Sequence, residues 1–185
     1  MYRPHQYWEA RGRTYIYETH EGDEERGERI KTIVSDIKPE SLLEVGVGPG
    51  KYLNRHMDVP MRAAIDFSSS AIGAIPDRLG CEVSVMDACL MGFRNLAFDL
   101  SFTCAILVHI PYEKIGRAID EICRVTRGHV LVMEYWDPKR VIDELAPHCF
   151  RHNYPREFDD RGFKIVKAMR LSALIGLFLF RRRTP

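Results

Sequence analysis

Leu42-Leu43-Glu44-Val45-Gly46-Val47-Gly48-Pro49-Gly50 is the stretch whose reading decides the fold. An apolar run ends in an acid, and glycine then occupies every second position. The run reads as a buried parallel strand, Leu42 to Val45, entering a tight turn. Glycine permits unusual dihedrals and close approach of the backbone, because it has no Cβ to clash. A helix expected from Lys51 to about Met57 would direct its N-terminal amides at whatever binds there. Strand, glycine turn and helix start make the nucleotide-binding edge of an open α/β sheet.

The spacing narrows the ligand. A dinucleotide fingerprint runs G-x-G-x-x-G and is shaped around a pyrophosphate. Here the order is Glu-x-Gly-x-Gly-x-Gly, on Glu44, Gly46, Gly48 and Gly50. A carboxylate beside the turn repels a diphosphate and suits a ligand with an ammonium or a sulfonium. S-adenosylmethionine carries both. The segment resembles the first motif of the class I S-adenosylmethionine-dependent methyltransferases. That resemblance implies an α/β, Rossmann-like, doubly wound and mostly parallel seven-stranded sheet with an antiparallel last strand. It also implies S-adenosyl-L-methionine as cofactor, its methionyl end at Glu44 and the glycine turn.

Further strand ends supply candidates. Met61 to Asp66 reads as a strand, and Asp66 stands where a doubly wound sheet places the carboxylate that takes ribose hydroxyls. Phe67 follows as a cover for adenine, and Ser68-Ser69-Ser70 caps a helix from about Ser70 to Leu79. A third strand, Cys81 to Met86, ends at Asp87-Ala88, which the resemblance implies at the adenine amino group and ring. The fourth, Phe98 to Cys104, brings Cys104 and Ala105 past the sulfonium. His109 follows it, a candidate general base with a pKa near neutrality. Pro111 is expected at the first turn of a helix reaching about Thr126, with Gly128 past its end. The fifth strand, His129 to Trp136, offers Glu134 and Tyr135 to an acceptor. Arg11 and Tyr15, in an aromatic-rich opening, are candidates for the methionyl carboxylate by the same resemblance.

A helix over residues 23–37 follows from Ile30, Ile33, Val34 and Ile37 at helical spacing, its acidic start read as a solvated face. The chain closes with two strands, Phe163 to Leu171 and Ala173 to Phe180, before a solvated tail at Arg181-Arg182-Arg183. Phe102 to Pro138, with Arg156-Glu157-Phe158, is similar to the methylases associated with pseudaminic acid biosynthesis.

Composition bounds the function. The 185 residues fit one domain, 1–185, with 1–20 as an N-terminal lid segment and 138–162 as an insertion bordering the acceptor pocket. A chain of this length buries about 70% of its unfolded surface. The net charge of +1 points away from nucleic acid and towards a small-molecule acceptor, such as a sugar or other metabolite. Five cysteines without a C-x-x-C pair, and no apolar signal in Met1 to Glu9, fit a reducing, cytoplasmic setting. The apolar run near the C-terminus falls short of the ~20 residues of a membrane span, so no membrane partner is expected. His148, Cys149 and His152 match no standard zinc spacing, and no metal is expected. The function expected is S-adenosylmethionine-dependent methyl transfer. The alternatives are a nicotinamide-dependent oxidoreductase, which Glu44 and the absent G-x-G-x-x-G disfavour, and a non-catalytic nucleotide-binding module of the same fold.

Overall fold

The computed structural model describes residues 3–14, 22–56, 58–75, 80–136 and 146–184. Seven strands form one sheet: β1 (Ser41–Val45), β2 (Met61–Asp66), β3 (Glu82–Val85), β4 (Phe98–Cys104), β5 (Thr126–Tyr135), β6 (Phe163–Arg170) and β7 (Ile175–Arg182). Their order is β3-β2-β1-β4-β5-β7-β6. β1 to β5 run parallel to one another, and β7 runs antiparallel to both β5 and β6. This is the expected doubly wound sheet with its antiparallel closure. The order reverses between β1 and β4, where a crevice opens at the carboxyl ends of the strands.

Both faces of the sheet are covered, which is why β1 reads as a continuous apolar run rather than an alternation. Leu43, Val45 and Ile65 point to one side, with Ile115, Ile119 and Ile122 of α4 (Tyr112–Val125) and Phe158 of α5 (Tyr154–Asp159). Leu42, Leu100, Phe102 and Leu131 point to the other, against Ile30, Ile33 and Val34 of α2 (Asp23–Ile37). Two further helices border the crevice: α1 (Pro4–Gly12) and the single turn α3 (Ser69–Ile72). No helix among the described residues is long and apolar enough to cross a membrane.

Several local expectations are corrected. The glycine turn leads into a four-residue 3-10 turn, Leu53–His56, so it carries little helix dipole; Met57 lies outside the described residues. Pro111 is the N-cap of α4 rather than its first residue, and its extended ψ of 155° precedes Tyr112. α4 runs straight into β5, so Gly128 is a strand residue and no helix stop. A Cβ there would lie 2.5 Å from the Asp99 carbonyl oxygen, so the close passage of β5 along β4 needs the bare backbone. Arg181 and Arg182 belong to β7 instead of a tail. The Arg182 guanidinium donates to the Thr126 carbonyl oxygen at 2.7 Å and sits 4.6 Å from the Phe163 ring centroid. The later part of the helix expected over 70–79 falls on residues 76–79, outside those described.

Candidate active site

The carboxyl ends of β1, β2 and β4 open into a cavity of about 650 Å³. It lies within the roughly 300–1,000 Å³ of small-ligand and cofactor sites. The glycine turn forms its floor. Gly46 has φ of +77°, and a Cβ there would stand 2.5 Å from the Ile106 side chain. Gly46 N–H and Val47 N–H both donate to the Ile65 carbonyl oxygen, at 2.8 and 3.0 Å, and this fixes the turn to the end of β2. Gly48 and Gly50 also take positive φ. Gly46 and Gly48 line the cavity, whereas Gly50 shapes the turn from outside the lining.

Two acids from adjacent strands face this floor. Asp66 accepts Gly48 N–H on Oδ2 and Ser68 N–H on Oδ1, both at 2.9 Å. Burial raises its pKa, and these amides oppose the rise. Glu44 is only 3% exposed, and its Oε2 has no hydrogen-bond partner among the described residues. Burial, with the nearby Asp66 charge as the lesser cause, pushes its pKa well above the ordinary carboxylate range. A buried acid lacking a partner loses solvation that a hydrogen-bonding cation restores. An ammonium, which donates hydrogen bonds, suits that oxygen; a phosphate, which brings acceptors and negative charge, does not.

The remaining cofactor candidates divide cleanly. Phe67, Asp87, Ala88, Cys104 and Ala105 all line the cavity. The Asp87 carboxylate also accepts Cys89 N–H at 2.8 Å, so it shapes its own turn. Burial pushes the Cys104 thiol up to about 12, which leaves it a neutral wall. Ala105 holds φ of +56°, a conformation costly for a residue with a Cβ, as the chain leaves β4. Arg11 lines the cavity from α1, and Tyr15 lies outside the described residues.

α1 forms one wall because α3 holds it. Ser69 N–H and Ser70 N–H donate to the Glu9 carboxylate at 2.5 and 3.2 Å. Ser68 and Ser70 hydroxyls donate to the Trp8 and Glu9 carbonyl oxygens at 3.2 and 2.7 Å. Tyr7, Trp8 and Arg11 thereby face the cavity.

Asp23, Arg26, Lys51 and Tyr52 also line the cavity, and sequence reasoning missed them. Asp23 pairs with both Arg26 and Lys51, the latter at 2.8 Å. Two cations in the lining, Arg26 and Lys51, give a carboxylate ligand somewhere to bind. The acidic start of α2 read as a solvated face, and the fold turns part of it inward.

On the acceptor side the structure departs from two expectations. Glu134 is fully buried and does not line the cavity. Its carboxylate accepts the N–H groups of Ile106, Leu107 and Val108 at 3.0, 3.1 and 3.3 Å, so it holds the 3-10 turn Leu107–His109 in place. Burial raises its pKa to about 7 despite those bonds. His109 does line the cavity, but desolvation lowers its pKa to about 4 instead of leaving it near neutrality. Its Nδ1 is 3.0 Å from the His148 carbonyl oxygen, and its ring packs 4.5 Å from that of Trp8. Tyr135 lines the cavity as expected and is 39% exposed.

This fold and cavity define a class I S-adenosylmethionine-dependent methyltransferase domain. Residues 43–133, just under half of the chain, match the family model of a methyltransferase domain. It is similar to the probable tRNA methyltransferase 9B of Mus musculus, 32% identical over 111 residues covering 58% of this chain and 24% of that protein. The chain therefore spans about a quarter of the curated relative's length. Among solved structures it resembles the N-methyltransferase NodS of Bradyrhizobium japonicum in complex with S-adenosyl-L-homocysteine. The TM-score is 0.78 at 17% identity, covering 98% of this chain and 99% of that one. It also resembles magnesium protoporphyrin IX methyltransferase of Synechocystis with bound S-adenosylmethionine, with TM-score 0.75 at 13% identity and 99% of both chains covered. These likenesses establish the fold. S-adenosylmethionine is the cofactor.

Proposed function

We propose that this domain transfers the methyl group of S-adenosylmethionine to a small-molecule acceptor. One observation carries the reading. A single cavity runs from the acid-flanked glycine turn to a second wall of His109, Tyr135 and His148, under an aromatic cover of Tyr7 and Trp8. In this reading Glu44 takes the ammonium, Asp66 the ribose hydroxyls, Asp87 and Ala88 the adenine, and Arg11 or Arg26 the carboxylate. Residues 146–162 border the acceptor, and the segment up to Gly12 acts as the lid.

When bound, the cofactor supplies a methyl group already activated by its sulfonium. The chain's own residues then align donor and acceptor and keep water away, an effect worth up to about 7–11 kcal/mol in favourable cases. A net charge of +1 supports a small acceptor over a polyanion.

The similarity to the probable tRNA methyltransferase 9B supports a second reading, an RNA acceptor. Incubation with methyl-labelled cofactor separates the two. Label appearing in a low-molecular-weight acceptor panel supports the first, and label appearing only in tRNA replaces it with the second.

A further inference from the structure

We propose a transition-metal site, of the zinc class, at the acceptor end of the cavity, formed by His109, His148 and Cys149. One ring nitrogen from each histidine and the Cys149 sulfur lie within 4.8 Å of one another. All three residues line the cavity and are half-buried. His109 stands 39 residues before His148, which is why sequence spacing around His148 and Cys149 showed no zinc framework.

The distances suit the ion. Tetrahedral zinc holds sulfur at about 2.3 Å and nitrogen at about 2.05 Å, which sets those two ligand atoms roughly 3.6 Å apart. His109 Nδ1 and Cys149 Sγ are 3.6 Å apart. The two imidazole rings lie nearly parallel, 30° between planes and 5.3 Å between centroids, so small rotations bring both edges to one point.

The segment bearing the second and third ligands is pinned to the first. Phe150 N–H donates to the Val108 carbonyl oxygen at 2.6 Å, and Cys149 N–H to that of Ala146 at 2.8 Å. His152 Nε2 lies 2.9 Å from the Ile110 carbonyl oxygen. Ligands held on tethered backbone are preorganised for an ion.

Three features oppose binding. The His109 Nδ1 contact to the His148 carbonyl oxygen must be given up, the Tyr7 hydroxyl lies 3.4 Å from His148 Nε2, and the Arg11 charge acts on His148. A coordinated thiol is deprotonated outright, and that negative charge offsets part of the repulsion. Cys149 is therefore the ligand whose loss weakens binding most.

Three protein ligands leave a fourth position, the mark of a catalytic rather than a structural site. All three ligand residues line the cavity, so an acceptor hydroxyl or thiol, X–H, can reach it from there. Coordination favours release of the X–H proton to solvent. The X lone pair then forms the X–CH3 bond as the methyl–sulfur bond breaks and its electrons return to sulfur, leaving neutral S-adenosylhomocysteine. This role rests on the methyl-transfer reading, whereas the ion site itself does not.

The test is titration of the chelator-treated full chain with Co2+, followed by competition with Zn2+. The expected result is one equivalent bound, with thiolate-to-cobalt absorption in the near ultraviolet that Zn2+ abolishes. Cys149→Ser should remove that absorption, and His109→Ala should weaken binding at least about 100-fold, since loss of a ligand costs no less than loss of a residue that only orients one. Cys81→Ser, remote from the trio, should leave the absorption intact. Circular dichroism melts identify any variant that fails to fold, and His148→Ala then serves in its place. No thiolate absorption in the wild type, or equal absorption in Cys149→Ser, overturns the site. S-adenosylhomocysteine titrations run in parallel keep the readings apart. Cofactor binding without metal sinks only this site, and metal binding without cofactor sinks only the methyl-transfer assignment.

Discussion

The two ends of the cavity are built by different means. The cofactor end is made of strand termini next to one another in the sheet: Glu44 on β1, Asp66 on β2 and Ala105 after β4. Its shape comes from backbone amides and glycine dihedrals. The acceptor end is assembled from distant pieces: α1, the turn after β4, and the segment from Ala146. There the contacts are ring packing and long-range side-chain bonds. Position on a sheet edge is a local property of sequence, whereas assembly across more than a hundred residues is not. Variants should therefore separate the two ends into binding and turnover.

The largest effect is expected at the cofactor floor. Gly46→Val must hold a branched side chain at positive φ and push against Ile106, with strain of about 1–3 kcal/mol for the backbone alone. Thermal denaturation should show a lower Tm, and calorimetry no binding of S-adenosylhomocysteine. A variant that binds normally would break the contrast, because the turn would then be dispensable.

Asp66→Ala should come next. It removes the acceptor for Gly48 and Ser68 amides and the proposed ribose ligand. Hydrogen bonds to a charged group are worth about 1.5–3 kcal/mol, so affinity should fall about 10- to 100-fold. Unchanged affinity would move the ribose elsewhere.

Glu44 sharpens the same half through pH. Its folded pKa is raised by burial, so the folded state keeps a proton that the unfolded chain releases. The associated stability is fully present below the ordinary glutamate value of 4.5 and is lost as pH rises towards the shifted value. Glu134, raised to about 7 by burial, and Asp66 add slopes of the same sign. The Tm of ligand-free protein should fall from about pH 5 upward, and Glu44→Gln should flatten part of that fall. A variant with the wild-type slope would show that Glu44 is not held protonated.

The smallest effect on binding belongs to the acceptor end. Tyr135→Ala should leave S-adenosylhomocysteine affinity within about twofold while lowering transfer about tenfold, the scale of a lost 1.4 kcal/mol. Equal losses in both would erase the distinction between the halves.

The same distinction governs what could be read from the sequence. Glu44, Asp66 and the glycines were legible because an acid at a strand end followed by a turn residue is a local pattern. The strands were legible because apolar runs of that length bury on both faces. Glu134 obeyed the strand-end pattern yet serves the turn after β4, and nothing near it in sequence signals three amides in need of an acceptor. Asp23 and Arg26 sit in a charged helix start that resembles any solvated surface, and only the fold turns them inward. His109 was legible as a residue but not in its protonation, since its burial exists only in the fold, where the rings of Trp8 and His148, far away in the chain, lie against it.

The central claim is that a buried acid beside a glycine turn, with one oxygen lacking a partner among the described residues, receives a cationic adenosyl ligand. Calorimetric titration of S-adenosylmethionine into wild-type and Glu44→Gln protein tests it most directly. One site in the wild type, weakened at least about tenfold in the variant, is the predicted result. No heat at millimolar ligand, or equal affinity in the two proteins, would contradict it.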